Sequence, residues 1–327
     1  MKIAAIVLAV LSVAAFPLVF QGPFPQHLMI LVMLNALLGS AWNLLGGFAG
    51  QVSLGQAVFF GAGAYTSTLL VQHAGVSPWV GMAGGAGLAV ALSAAIGYPC
   101  FRLSGHYFAI ATIAVGEILG ILVTNWEFAG GAVGLFIPIA DEGGLLALQF
   151  GSKVGYYYLL AGLLAFAVLL SALLRRSRAG YYWRAIREDQ PAARSVGVNA
   201  TRYKQLAMAL SAALTAIAGT FYAQYVLFID PGSVLPLSLS IQICLVAVLG
   251  GVGTVVGPLL GAAVLIPLSE ATRLALGASG RSLDLVVYGL LIMLIAAFEP
   301  AGLVGIARRF SRRSGRVEPT TGSAARG

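Results

Sequence analysis

Residues 175–204 form the longest charged segment of the chain and lie between two long apolar runs. The segment reads RRSRAGYYWRAIREDQPAARSVGVNATRYK and holds eight of the chain's Lys and Arg residues, together with Glu188 and Asp189. Charged side chains at this density are costly in lipid, so we expect the segment to lie in water beside a membrane. The segment is suited to noncovalent binding of another protein, because it mixes charged side chains with small apolar ones.

The local pattern of this segment predicts a short helix, a stop and the start of another helix. WRAIRED is amphipathic, and Pro191 suits the first turn of a helix, where a missing N–H costs nothing. Gly197 supplies the left-handed residue that closes a short helix, and Asn199 or Thr201 can cap the membrane-bound helix that follows. A set of apolar residues among the charges favours a docking surface: Ile186, Ala192, Ala193, Val196 and Val198. The alternative is a basic loop without a partner, which the cytoplasmic side of a membrane also attracts.

A second group of polar residues lies inside apolar runs. Gln51, Ser53 and Gln56 occupy the glycine-rich stretch GGFAGQVSLGQ, where polar groups must find partners or water. Tight helix packing and contact with a transported solute are both open interpretations. Glu117 lies well inside a later apolar run, and an ionisable residue at that depth is a functional-site hypothesis. A structural hydrogen bond to a neighbouring helix is the alternative for this residue.

Several kinds of site are not predicted. The glycine-rich stretch lacks the G-x-x-x-x-G-K-[ST] pattern and the chain has only three lysines, so no ATP site is expected. Cys100 and Cys244 lie in or beside apolar runs, which favours buried side chains over a disulfide framework. We expect no catalytic residues and no metal site. The net charge of +8 is spread over loops and the tail, so nucleic-acid binding is not expected either.

Composition indicates that membrane helices position these residues. Charged residues make up 9% of the chain and apolar residues 59%, against about 25% and 45–50% in soluble domains. The 42 glycines favour closely packed membrane helices. The predicted fold is an all-α integral membrane protein, a polytopic bundle of about ten transmembrane helices with a short cytoplasmic coupling helix. The transmembrane domain covers residues 1–307, with its central loop at 175–204, and a disordered basic tail covers 308–327.

Hydropathy gives approximate bounds for the spans and charge gives their orientation. The third span has sixteen residues and reaches only about 24 Å, so we expect it to be broken or to begin in the glycine-rich stretch. A cytoplasmic amino terminus puts sixteen basic residues inside and three outside, which favours both termini in the cytoplasm. The predicted spans are Ile3–Phe20, His27–Leu45, Ala57–Gln72, Pro78–Tyr98, His106–Val123, Tyr156–Leu174, Gln205–Phe228, Ser238–Leu249, a ninth that reaches Ser269, and Leu283–Phe298.

Five stretches carry a resemblance to a known family. They are RAIREDQPAARSVGVNATRYK, GQVSLGQAVFFGAGAY, FRLSGHYFAIATIAVGEI, NWEFAGGAVGL and LVAVLGGVGTVVGPLLGAA. Together they resemble the branched-chain amino acid ABC transporter permeases of the LivM type, and the resemblance covers about Asn43 to Glu270. The resemblance implies a permease subunit of an ATP-driven importer for branched-chain or other hydrophobic amino acids, in the bacterial cytoplasmic (inner) membrane.

The resemblance also implies partners and site residues. The partners would be a second, LivH-like permease, two ABC ATPase subunits that bind ATP and Mg, and a periplasmic or lipid-anchored substrate-binding protein. The chain itself would bind no cofactor. The residues implied in ATPase coupling are Arg184, Ala185, Ile186, Arg187, Glu188, Asp189, Ala193, Val196, Gly197 and Val198. A zwitterionic amino acid needs polar partners in an apolar passage, and the candidates for its path are Asn43, Ser53, Gln56, Tyr65 and Glu117.

Two other functions remain open on the sequence. Relatives that move urea or short-chain amides share much of the pattern, so the substrate could be one of those. A secondary transporter that works alone on an ion gradient would need ionisable groups at depth. Glu117 and little else meets that requirement, which makes this second alternative the weaker one.

Overall fold

The computed structural model describes residues 15–103, 105–139, 144–276, 289 and 302–305. Helices dominate these residues, as the apolar composition requires in lipid, where every backbone group must be paired within the chain. The α-helices are α1 Pro23–Asn43, α2 Gln56–Ala74, α3 Pro78–Cys100, α4 His106–Thr124, α5 Lys153–Arg176, α6 Arg178–Glu188, α7 Gln190–Ser195, α8 Ala200–Val226, α9 Pro231–Val234, α10 Leu237–Gly250 and α11 Gly257–Leu276. Two short strands, β1 Leu135–Phe136 and β2 Phe228–Ile229, pair antiparallel, and a 3-10 turn covers Glu127–Ala129.

A break separates α1 from α2. Helix α1 continues as a π-helix over Leu44–Phe48, a rare form that is found mostly in short pieces at functional sites. The chain then turns at Gly50, whose φ is 70°, and the Trp42 Nε1–H donates to the Ser53 carbonyl at 2.8 Å. Residues 44–55 are called the first break below. The predicted third span lies after this break and is longer than expected, because α2 has 19 residues and reaches about 29 Å.

Helices α2, α3 and α8 form the centre of the bundle. A Cβ atom at Gly63 of α2 would overlap the carbonyl oxygen of Ala216, and one at Gly219 of α8 would overlap that of Phe60. A Cβ atom at Gly85 of α3 would lie 3.0 Å from the Gly63 Cα. Because these positions lack side chains, the backbones of the three helices come into direct contact. The high glycine content therefore serves helix packing here, as predicted.

Helix α4 is the least covered of the long helices. Only 11% of its apolar stretch is buried, against 83% for Pro23–Phe48, which packs against α5, α8, α10 and α11. Its exposed side chains include Ile110, Ile118, Ile121 and Leu122, each more than half exposed. One side of α4 therefore faces away from the rest of the chain.

The loops of the bundle gather in two groups. One group contains the first break, residues 177–199 and residues 251–256, which are called the second break below. The other contains the β1–β2 pair and the segment 144–150, whose carbonyl at Leu145 accepts from Trp79 Nε1 at 2.8 Å. Successive long helices run alternately between the two groups, which is the arrangement that the charge distribution predicts. The side of the membrane on which each group lies stays a prediction.

Six helical segments of the described residues are long and apolar enough to cross a membrane. They are Pro23–Phe48, Pro78–Cys100, His106–Thr124, Lys153–Arg176, Ala200–Val226 and Pro231–Gly250. Six of the predicted spans correspond to these segments, and α2 and α11 cover the third and ninth. The predicted first span lies largely outside the described residues, as does the tenth, and so does the tail 308–327. The number of ten therefore stays a prediction.

Candidate functional site

Residues 177–199 fold into the helices α6 and α7, where one short helix was predicted. Ser177 caps α6, since its Oγ accepts a hydrogen bond from the Gly180 N–H at 3.4 Å. Asp189 separates the two helices and caps α7, because its Oδ1 accepts from the Ala192 N–H at 3.0 Å. Both caps are of the type that Ser and Asp favour. The sequence reasoning missed that Asp189 both ends one helix and starts the next.

The three local signals in this segment are confirmed. Pro191 lies in the first turn of α7. Gly197 has a φ of 87°, so it turns the chain after α7 in a conformation that other residues adopt at a cost. Asn199 caps α8, with its Oδ1 accepting from the Arg202 N–H at 3.0 Å. Of the two residues proposed for this cap, Asn199 is thus the one used.

The pair α6–α7 is fastened to the start of α8. Trp183 is fully buried, and its Nε1–H donates to the Tyr203 carbonyl at 2.8 Å. Lys204 is 2% exposed and its Nζ donates to the Gln190 side-chain oxygen. These bonds join α6 and α7 to different points of one turn of α8. The two short helices and the start of α8 therefore form one unit.

An apolar cluster completes this unit and corrects part of the predicted docking surface. Ile186 and Ala193 are 3% and 4% exposed and pack against Ala200, with Val198 beside them. Val198 is half-buried, whereas the side chains of Ile186 and Ala193 are not available to a partner in the chain as folded. They hold α6, α7 and α8 together instead, because each helix contributes one buried member to the cluster.

The remaining implied coupling residues lie on the surface of the segment. Arg184, Ala185, Glu188, Asp189, Val196 and Gly197 are exposed. Val196 has 79% of its surface exposed. Glu188 forms no salt bridge with any described residue. The guanidinium of Arg184 lies 4.6 Å from the centre of the Tyr181 ring, which fixes its direction along α6.

Arg187 is exposed in part but points toward the membrane helices. Its Nη1 donates to the Gly47 carbonyl in the π-helical part of the first break at 2.6 Å. A hydrogen bond from a guanidinium is stronger than one between neutral groups. Among the hydrogen bonds of the described residues, this one alone joins α6 to the first break.

Three of the five path candidates have partners within the chain. Asn43 accepts from the Gly253 N–H and donates to the Thr254 carbonyl, both at 2.8 Å. The Gln56 amide is fully buried between Ser211 and Thr215 of α8, with both bonds at 3.2 Å. For Gln56 the packing interpretation accounts for its hydrogen bonds in this conformation.

Ser53 lies at the edge of a small cavity. Its Oγ accepts from the Gly55 N–H at 3.3 Å, and its side chain is 1% exposed. The cavity lies between α2, α3, α4 and α8 and is lined by Ser53, Gly55, Val58, Phe59, Ile96, Thr112, Val115 and Met208. Its lining is mostly apolar and includes two hydroxyl groups, one from Ser53 and one from Thr112.

Tyr65 and Thr68 share one face of α2 and both carry buried hydroxyl groups without a hydrogen-bond partner among the described residues. Tyr65 is 6% exposed and Thr68 is fully buried. Sequence reasoning proposed Tyr65 but missed Thr68. The helical spacing of three residues was the signal that pairs them.

Glu117 lies at the middle of α4, on the side that the rest of the chain leaves exposed. It forms no hydrogen bond or salt bridge with a described residue, so the structural hydrogen bond considered for it is absent from this part of the chain. Gly120 lies one turn further along, and a Cβ atom there would meet nothing within 4 Å. The carboxylate is therefore on the opposite side of α4 from the path candidates of α2.

Comparison with known proteins supplies independent information on the family. A family model described as a permease component of branched-chain amino acid transport systems matches residues 24–296. The chain is 31% identical to the high-affinity branched-chain amino acid transport system permease protein LivM of Escherichia coli, over 94% of this chain and 76% of that protein. It is 31% identical to the LivM protein of Salmonella typhimurium over 85% of this chain and 69% of that protein.

A more distant similarity joins the chain to a second kind of permease protein. It is 24% identical to the permease protein LivH of Escherichia coli, over 83% of this chain and 91% of that protein. No solved structure matches the chain.

Proposed function

The chain belongs to the family of branched-chain amino acid transport permease components, and from this premise we propose that it is the LivM-type permease subunit of an ATP-driven importer of branched-chain amino acids. Its relatives are named as transport permeases, which supports a role as a transport subunit that leaves ATP hydrolysis to its partners. ATP and Mg would bind to partner ATPase subunits. The substrate class rests on the names of the relatives, which do not favour urea or short-chain amides.

Contact with an ATPase subunit is assigned to the exposed face of α6 and α7. The observation that carries this assignment is a capped helix pair whose exposed charges form no salt bridge with a described residue, together with an apolar tip at Val196, which is 79% exposed. Glu188 and Asp189 offer carboxylates, and Arg184 offers a guanidinium, for complementary groups on the partner. Buried Ile186 and Ala193 transmit force from this face to α8 without touching the partner themselves.

A second, LivH-like permease would cover the outer side of α4. This side presents Glu117 at mid-helix, and an ionisable group at that depth is costly in lipid unless protein or water surrounds it. A partner permease supplies either condition, because it can bring a hydrogen-bond donor or close a water-filled passage. The similarity of the chain to LivH supports a partner of similar fold.

A substrate-binding protein, periplasmic or lipid-anchored, would dock on the loop group around β1 and β2. This group exposes several apolar side chains: Val133, Phe136, Ile139, Leu145 and Leu146. In the proposed orientation both termini and the α6–α7 pair face the cytoplasm, and this loop group faces the outside of the cytoplasmic membrane.

A charge reversal tests the assignment of the ATPase contact. Glu188→Arg should weaken binding of purified ATPase subunits to the detergent-solubilised permease pair by about tenfold, as expected for loss of a charge pair replaced by repulsion. Glu127→Arg is the matched control, since Glu127 is exposed in the other loop group. Equal ATPase binding by wild type and Glu188→Arg would contradict the contact at this residue.

A further inference from the structure

Arg187 joins three separate parts of the chain. Its side-chain stem lies over Gly50 of the first break, where a Cβ atom would come within 2.9 Å of the Arg187 Cγ. Its guanidinium donates to the Gly47 carbonyl and lies over Gly253 of the second break, where a Cβ atom would overlap Nη1. Both Gly50 and Gly253 have positive φ, at 70° and 76°. An L-residue at either position would be strained and would also displace the arginine.

The two breaks are also fastened to each other. Asn43, at the end of α1, binds the second break through the Gly253 N–H and the Thr254 carbonyl. A Cβ atom at Gly47 would lie 2.7 Å from the Gly253 nitrogen, so the two backbones are in contact. Arg187 therefore binds at a point where one side chain reaches the ends of α1 and α10 together.

Arg187 lies between a well-fixed part of the chain and a more irregular part. On one side, α6 is fixed to α7 and α8 by Trp183, Lys204 and the cluster around Ile186. On the other side lie a π-helical segment and a glycine turn, and irregular backbone of this kind changes conformation more readily than regular helix. A displacement of α6 is passed to these breaks through Arg187, because within the described residues this side chain makes the hydrogen bond that joins them to α6.

We infer that Arg187 is the positioning residue through which movement of the α6–α7 pair reaches the first and second breaks and thereby the membrane helices α1, α2, α10 and α11. This inference rests on the proposed function, because it presupposes that an ATPase moves α6 and α7. Arg187 is assigned no contact with ATP or with substrate. Its role is to move the first and second breaks together with the α6–α7 pair.

The test uses the complete complex in lipid vesicles and the variants Arg187→Ala and Arg187→Lys, with Arg178→Ala as control. Arg178 is an exposed arginine in the first turn of α6, apart from the residues assigned to the ATPase contact, which begin at Arg184. Three quantities are measured: recovery of the assembled complex, ATP hydrolysis, and ATP-dependent uptake of leucine. A fourth is the thiol-labelling rate of Val256→Cys in the second break, where the native side chain is 54% exposed.

For Arg187→Ala we expect normal assembly, retained ATP hydrolysis and uptake lowered by about tenfold or more, as for loss of a hydrogen bond to a charged group. The labelling rate of Val256→Cys should respond to ATP in the wild-type background and no longer respond in Arg187→Ala. Arg187→Lys keeps the charge but lacks the planar guanidinium, so its uptake should lie between that of the wild type and that of Arg187→Ala. Arg178→Ala should behave as wild type in every measurement.

Three results would overturn the inference. Uptake by Arg187→Ala equal to that of Arg178→Ala would remove any role in transmission. Loss of assembly in Arg187→Ala, together with normal coupling in Arg187→Lys, would make the residue one that merely supports the fold. An ATP response of the Val256→Cys labelling that persists in Arg187→Ala would show that the breaks follow the ATPase by another route. Failure of the proposed function is distinguishable, because the wild-type complex would then show no ATP-dependent uptake.

Discussion

Replacing Gly219 by alanine tests the central helix crossing of the bundle. The new Cβ atom would overlap the Phe60 carbonyl oxygen of α2 and would lie 2.9 Å from the carbonyl carbon and 3.2 Å from the Ala64 nitrogen. All three atoms belong to the backbone of α2, so no side-chain rotation relieves the contact. Helices α2 and α8 must part by roughly 1.5 Å before the methyl group reaches ordinary contact.

The cost follows from overpacking and from one stretched hydrogen bond. Extra methyl groups in a well-packed core cost about 1–3 kcal/mol. The bond from Thr220 Oγ1 to the Gly63 carbonyl, at 3.0 Å, crosses the same gap, and its loss adds about 1 kcal/mol. We therefore expect Gly219→Ala to lower the free energy of unfolding by about 2–4 kcal/mol.

The assay is reversible unfolding of the purified chain in detergent, followed by circular dichroism. Gly87→Ala is the matched control, because Gly87 lies on α3 and a Cβ atom there meets nothing within 4 Å. This control should be neutral or more stable by up to about 1 kcal/mol, since alanine favours helix over glycine. If Gly219→Ala had the same free energy of unfolding as Gly87→Ala, the close crossing of α2 and α8 would be refuted.

Four further predictions concern the site and its orientation. Gly197→Val places a β-branched residue at a φ of 87°, which strains the turn by about 1–2 kcal/mol. Binding of the ATPase subunit, measured by titration, should weaken while membrane insertion stays normal. Unchanged binding would contradict the role of this turn. Glu117→Gln should lower leucine uptake by about tenfold at equal protein level, and unchanged uptake with an unchanged substrate range would remove the residue from the path. Asn43→Ala loses two hydrogen bonds at 2.8 Å and should lower the free energy of unfolding by about 1–3 kcal/mol. A melting temperature equal to that of the wild type would contradict this expectation. Val196→Cys should react with an impermeant thiol reagent from the cytoplasmic side and Leu146→Cys from the outside; labelling of both from one side would contradict the topology.

The local signals of the central segment were readable from the sequence. Pro191, Gly197 and Asn199 each act through their own backbone or side-chain chemistry, so their effects depend little on the rest of the fold. The apolar residues of the same segment were harder to assign. Ile186 and Val196 are both apolar, but one is buried and the other exposed, because tertiary packing against α8 selects which face turns inward.

The helix breaks were only partly predictable. The glycine-rich stretch indicated an interruption before α2, but the π-helical end of α1 depends on contacts that lie far apart in sequence, such as Arg187 with Gly47 and Asn43 with Gly253. The same limit applies to the polar residues. Gln56 and Glu117 are both polar groups in apolar runs, yet one is paired with α8 and the other faces outward. Hydropathy predicts how deep in the membrane a residue lies but not which way its side chain points.

The relation of the α6–α7 surface to transport is tested most directly by reconstitution. The chain would be combined in vesicles with its LivH-like partner, two ATPase subunits and the substrate-binding protein, and uptake of labelled leucine would be measured with and without ATP. The proposed function predicts uptake that requires ATP and every partner, and that Glu188→Arg reduces. Uptake of leucine by the purified chain alone, without ATP, would contradict it.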